Sequence, residues 1–180
     1  RPRLARLGLL LLALAAAAPR LGAEYRVERP LCELATDPLG VDTARPRLSW
    51  RVSSDERGQR QTAWQVRVAT TPEALAEERA DLWDSGRVED ARSTLVPYAG
   101  RELASSQRVY WQVRSWDRNG EPSAWSDPAT WTMGLLAPGD WNARWIMAGG
   151  ETRQENTLLR RNFKVRAGLR RGLAHVTGLG

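Results

Sequence analysis

The sequence predicts an all-β protein: an antiparallel β-sandwich over residues 24–134, followed through a short linker (135–139) by the first strands of a second β-sandwich over 140–180. Three observations carry this prediction. Between residues 45 and 133 apolar and polar side chains alternate with a period of two, as in strands with one buried face. Turn residues break the alternation into about seven short strands in roughly 110 residues, which is the spacing of a sandwich. Four of the nine tryptophans fall within 108–131, enough either to fill a core or to build an aromatic platform.

The chain opens with Arg1-Pro-Arg-Leu-Ala-Arg6 and the apolar run LGLLLLALAAAA at 7–18, too short to span a bilayer comfortably. A basic stretch followed by such a run is the pattern of a secretory signal peptide, here residues 1–23 with cleavage after Ala23. Export to the periplasm or medium is the expected localisation, with no membrane span after signal removal. The leader holds four arginines and no acid, so the net charge of +6 falls to +2 without it. A nucleic-acid partner thereby loses its electrostatic support. What remains is uneven, +5 over 140–180 and −3 over 24–139, and a charge run of this kind reads first as a solvated face.

Each element has its own signal. RLSWRVS puts Leu48, Trp50 and Val52 on one face and Arg47, Ser49 and Arg51 on the other. AWQVRVA does the same with Trp64, Val66 and Val68, and the polar, Gly58-containing SSDERGQRQ between them suits a hairpin or loop. TPEALAEERA reads as a short helix with Thr71 as N-cap, Pro72 at the first helical position and Glu73 in the first turn. DLWDSG and RSTLVPY read as short strands, with Asp84 turning the chain ahead of Gly86, and GRELASSQ as a corner. In RVYWQVRSW, Val109, Trp111, Val113 and Ser115 share one face, and Tyr110, Gln112, Arg114 and Trp116 the other. DRNGEPS turns the chain, and AWSDPATWTM returns as a partner strand in which Pro128 marks an edge or bulge.

This phase assigns Trp50, Trp64, Val66, Val109, Trp111 and Val113 to the core. Arg114, Trp116 and Trp125 form a surface aromatic ladder in which guanidinium groups stack on indoles. A sugar-binding platform is the alternative use of Trp116, Trp125 and Trp131, and contacts among arginine and tryptophan explain them without a ligand.

The sequence offers no catalytic residue. Asp81 with Asp84, Glu89 with Asp90, and Glu77 with Glu78 are the candidate carboxyl pairs, and each lies in a helix or turn context typical of solvated surface. One cysteine, Cys32, and one histidine, His175, provide no metal-ligand set and no disulfide, and Cys32 reads as a small buried thiol. No cofactor is expected.

VYWQVRSWDRNGEPSAWS resembles the last two strands of a fibronectin type III-like, immunoglobulin-like domain, with Val109 in phase with the usual corner tyrosine and Tyr110 one residue out. A wider resemblance covers DPLGVDTARPRLSWRV, RGQRQTAWQVRVAT, DLWDSGRV, VPYAGREL, YWQVRSWDRNGEPSAWSDPATWTMGLL and DWNARWI, in that order. Together these are similar to the N-terminal region of bacterial α-L-rhamnosidases of glycoside hydrolase family 78, from about residue 31 to 147 and more loosely to the end. The resemblance implies a second sandwich, a catalytic (α/α)6 barrel and a C-terminal sandwich in the same polypeptide as partners. It also implies a rhamnose-containing glycoside as substrate of the full protein, hydrolysed with inversion by two carboxylates. By the same resemblance the barrel and both carboxylates fall beyond Gly180, so the chain is expected to be an inactive fragment. The alternative is a non-enzymatic surface module that binds a protein or glycan, since this fold serves many roles.

Overall fold

The structure, a computed structural model, describes residues 25–77, 79–146 and 159–178; the leader read in residues 1–23 lies outside them. Among the described residues eight strands form: β1 (Tyr25–Cys32), β2 (Leu39–Val41), β3 (Arg47–Ser54), β4 (Ala63–Ala69), β5 (Trp83–Asp84), β6 (Val96–Pro97), β7 (Arg108–Trp116) and β8 (Ala129–Met133). They make two sheets, one ordered β1-β3-β6 and the other β2-β8-β7-β4-β5. All pairings are antiparallel except β2 against β8, which is parallel. That pair forms because the chain leaves β1 in the first sheet and joins the last strand of the second.

Pattern and structure do not coincide everywhere. The alternation does not reveal β1, because a register shift between Glu28 and Leu31, with Arg29 at φ 51 beside Pro30, interrupts it. The bulge and the proline also blunt an exposed sheet edge. Of the two readings of the polar segment after β3, hairpin or loop, the loop holds: β3 and β4 lie in different sheets, so it crosses over, with Gly58 at φ +77. The helix α1 is only Pro72–Ala76; Thr71 caps it by accepting from the Ala74 amide, and Leu75 is its buried residue.

The region read as the start of a second sandwich is only partly described. Past β8 the described residues hold one short 3-10 turn, Pro138–Asp140, and no strand in 141–146 or 159–178. A strand needs a hydrogen-bonding neighbour, and residues 159–165 and 171–178 find none among the described residues.

The core sits between the sheets. Trp50, Trp64, Val66, Val109, Trp111 and Val113 are all buried, as is Cys32. Two aromatic groups organise it: Trp50 meets Trp64 edge-on at 5.7 Å, while Trp83, Tyr98, Trp131 and Trp111 make successive edge contacts at 5.4, 5.9 and 6.3 Å. An indole of this kind buries about 150–250 Å², or about 4–6 kcal/mol of transfer free energy before entropy is counted. Trp131, one of the residues weighed for a sugar platform, is fully buried, because Ala129, Trp131 and Met133 form the inward face of β8. The Tyr98 hydroxyl donates to the Arg101 carbonyl at 2.7 Å, tying the corner after β6.

Candidate functional site

The most organised group of polar side chains lies on the outer face of the larger sheet. β7 supplies Arg114 and Trp116, β4 supplies Gln65 and Arg67, and the segment between β7 and β8 supplies Trp125. The guanidinium carbon of Arg114 lies 5.0 Å from the Trp116 ring centre and 4.7 Å from that of Trp125. Arg67 lies 4.7 Å from Trp125, and Arg87 lies 4.9 Å from Trp116. The resulting series, Arg87, Trp116, Arg114, Trp125, Arg67, alternates cation and ring, each contact worth about 0.5–2 kcal/mol.

Hydrogen bonds fix the arginines. Gln65 Oε1 accepts from Arg114 Nε and Nη2 at 3.0 and 2.8 Å, and Gln65 Nε2 donates to Asp84 at 2.6 Å. Asp84 also accepts from Arg67 Nε at 2.9 Å and from the Gly86 amide at 2.9 Å. Burial raises the Asp84 carboxyl, but the bonds from Gln65, the Gly86 amide and Arg67 outweigh it and hold the carboxyl below its ordinary value.

Trp125 reaches the ladder because its segment is pinned to β7 by two serines. The Ser123 and Ser126 amides donate to the Ser115 and Val113 carbonyls, both at 2.8 Å. In return the Ser115 and Val113 amides donate to the hydroxyls of Ser123 and Ser126, at 3.1 and 3.2 Å. Hydroxyls thus stand where backbone carbonyls would be. This is why AWSDPATWTM is not one strand and regular pairing resumes only at Ala129. Serines flanking a tryptophan are the sequence signal for this arrangement.

The ladder differs from the expected one in exposure. Trp116 is only 6% exposed, because Arg87 and Arg114 lie over it, and Arg67 and Gln65 are buried with it. Trp125 is half-buried and already carries two guanidinium groups, which occupy the ring area a sugar would stack upon.

The candidate carboxylates are engaged locally. Asp81 is raised by burial, yet the Thr70 hydroxyl and amide bond to it at 2.7 and 2.9 Å, and its net shift is downward. Glu89 pairs with Arg87 at 2.7 Å, Asp90 with Arg92 at 3.3 Å, and Glu77 with Arg79; the Glu78 side chain lies outside the described residues. A general acid of a glycosidase needs a raised pKa, whereas every shifted carboxyl among the described residues moves down. Among the described residues, those lining the apolar cleft, Trp141, Arg144, Trp145, Leu159, His175 and Val176 among them, include no carboxylate. His175 lies 3.1 Å from the Ser106 hydroxyl, while Cys32 is in the core. Among the described residues no group of three or more His, Cys, Asp or Glu is placed to hold a metal ion, and no helix is long and apolar enough to cross a membrane.

Fold and side chains together define an immunoglobulin-like β-sandwich whose best-organised cluster braces a sheet. Residues 27–137 match the family described as Rha78A-like, N-terminal immunoglobulin domain, and the chain belongs to that family. It is 47% identical over 123 residues to an alpha-L-rhamnosidase of Streptomyces avermitilis, covering 68% of this chain and 12% of that protein. It is 35% identical over 127 residues to an alpha-L-rhamnosidase of Formosa agariphila, covering 70% and 13%. The crystal structure of the Streptomyces avermitilis enzyme complexed with L-rhamnose superposes with a TM-score of 0.66 at 46% identity, over 69% of this chain and 12% of that one. The alpha-L-rhamnosidase from Dictyoglumus thermophilum gives 0.66 at 34% identity, over 68% and 14%. The chain therefore spans 12–13% of the length of these curated relatives.

Proposed function

We propose that this chain is the non-catalytic N-terminal portion of an exported α-L-rhamnosidase. The complete form would release terminal non-reducing α-L-rhamnose from rhamnosides by inversion, one carboxylic acid protonating the leaving oxygen and a carboxylate activating water about 6.5–9.5 Å away. The observation that carries the reading is the match over residues 27–137 to enzymes that are matched only through this domain. The shifted carboxyls among the described residues are all depressed, which supports a non-catalytic role for it. The sandwich would pack against the other domains of the same polypeptide. Trp145, Ile146 and Phe163, at 67, 73 and 82% exposure, are apolar side chains that a following domain would cover.

The test uses a polypeptide in which this chain is followed by the remaining domains of such an enzyme. It should liberate rhamnose from a chromogenic α-L-rhamnoside, with the first-formed anomer inverted by proton NMR, and its exported form should begin at Glu24. Failure to release rhamnose, or release with retention, would reject the proposed enzymology, and an N-terminus upstream of Leu7 would reject export by leader cleavage.

A further inference from the structure

We propose that Asn119 is a site of spontaneous covalent modification, in which the Gly120 backbone nitrogen attacks Asn119 Cγ at a rate set by opening of the Asp117 turn. Three observations lead there. Asn119 is exposed and precedes a glycine, whose lack of a side chain removes the main hindrance to approach of the Gly120 nitrogen to Asn119 Cγ. The other asparagines within the described residues, Asn142 and Asn162, precede Ala143 and Phe163, whose side chains hinder the same approach.

The third observation is the restraint. Asp117 to Glu121 close a hairpin in which the Gly120 amide donates to the Asp117 carbonyl at 3.1 Å and the Asp117 amide donates to the Glu121 carbonyl at 2.9 Å, with Gly120 at φ +82. The Asp117 carboxylate accepts from the Asn119 amide at 2.8 Å, from Asn119 Nδ2 at 3.2 Å and from the Glu121 amide at 2.9 Å. While these bonds hold, the Gly120 N–H is committed and the Asn119 amide is turned toward Asp117. Ring closure waits for the turn to open.

The chemistry balances without a redox partner. A bond forms between Gly120 N and Asn119 Cγ, the Asn119 Cγ–Nδ2 bond breaks, and ammonia leaves with the proton lost by the Gly120 nitrogen. Water then opens the succinimide at either carbonyl, giving aspartate or isoaspartate. Isoaspartate adds a methylene to the main chain of the hairpin. It thereby loosens Asp117, whose carboxylate also accepts from Gln59 Nε2 at 2.8 Å and whose carbonyl accepts from the Thr62 hydroxyl at 2.8 Å.

The test incubates the 180-residue chain at mildly alkaline pH, folded or in urea, and maps the amide-to-carboxyl mass gain and the isoaspartate content by peptide digestion and isoaspartyl methyltransferase labelling. Conversion should occur at Asn119 and not at Asn142 or Asn162. It should run about tenfold or more faster in urea, as expected for a reaction gated by local opening. Asp117→Ala should accelerate it in the folded protein. Gln59→Ala removes the Gln59 bond to the Asp117 carboxylate and the one its Oε1 accepts from the Arg118 amide at 3.1 Å, both of which brace the turn, so it supplies the same comparison if the first variant does not fold. An Asn119 that stays unchanged in the folded protein over about a hundred times the period that converts the urea-unfolded one would overturn the proposal. Equal rates in both states and in both variants would do so too.

Discussion

Arg114 holds its guanidinium carbon 4.7 Å from the centre of the Trp125 ring, and Gln65 keeps it there by accepting two of its N–H groups. The contact joins β7 to a segment that has serine-mediated rather than regular strand pairing. A planar, doubly hydrogen-bonded cation is needed for it, so charge alone should not suffice. Arg114→Lys should therefore destabilise the sandwich by about 1–2 kcal/mol, and Trp125→Ala combined with it should add less than the two single losses. Urea unfolding measures both, and a loss under about 0.5 kcal/mol for the lysine variant would show that the ladder is not a brace.

Two core tryptophans should respond differently to the same change. Trp50 Nε1 donates to Gln61 Oε1 at 2.9 Å, and buried Gln61 in turn donates to the Asp90 and Arg92 carbonyls. Trp111 Nε1 is buried with no hydrogen-bond partner among the described residues. Both Phe substitutions lose ring area, but Trp50→Phe also leaves the Gln61 oxygen without its donor. It should cost about 1–2 kcal/mol more than Trp111→Phe in parallel urea melts.

Gly100 tests the corner after β6. A Cβ there would sit 2.5 Å from Trp83 Cβ, 2.5 Å from the Tyr98 hydroxyl and 2.6 Å from the Leu82 carbonyl. Two of these obstacles are buried or backbone and cannot swing aside. Gly100→Ala should cost about 1–3 kcal/mol, the usual range for overpacking, and should weaken the Tyr98 bond to Arg101. Thermal unfolding indistinguishable from the parent would mean the corner is looser than its contacts imply.

The strands with two-residue alternation, β3, β4 and β7, were legible because one face of each is apolar and the other is not. What the pattern hid has physical causes. β1 carries its bulge at Arg29-Pro30, so its inward residues fall out of phase. All of β4 is buried although only Trp64, Val66 and Val68 face the core, because stacked Arg67 and Gln65 cover its outer side, and no hydropathy rule expects a covered arginine. Trp116 was legible as a ladder residue but not as a buried one for the same reason: its lid is two arginines, one of them, Arg87, distant in sequence. The alternation in 156–180 marks residues able to form strands, and alternation alone does not say whether a neighbouring strand is there to pair with them.

Stability should fall at both ends of the pH scale. Burial raises the Asp84 and Asp117 carboxyls, but hydrogen bonds outweigh it and hold both below 3.8, while bonds from Arg47 hold Glu33 below 4.5. Their contribution is present above the unfolded values and is lost as pH falls through the lower folded ones, so melting temperature should drop below about pH 4. Burial pushes the Cys32 thiol from 9.0 up to about 12, and its contribution is present below pH 9.0 and lost as pH rises toward 12. Cys32→Ala should flatten that alkaline decline, and a melting profile unchanged between about pH 9 and 11 in the parent would contradict the buried thiol.

The most direct test of the central claim is a single assay: the purified protein, shown folded by its near-ultraviolet tryptophan signal, is incubated with a chromogenic α-L-rhamnoside. No shifted carboxyl among its described residues is raised, and the described members of the pairs weighed are tied to neighbouring side chains or backbone. The account predicts no release above the buffer blank. Release that a single Asp or Glu substitution within residues 24–180 abolishes would contradict it.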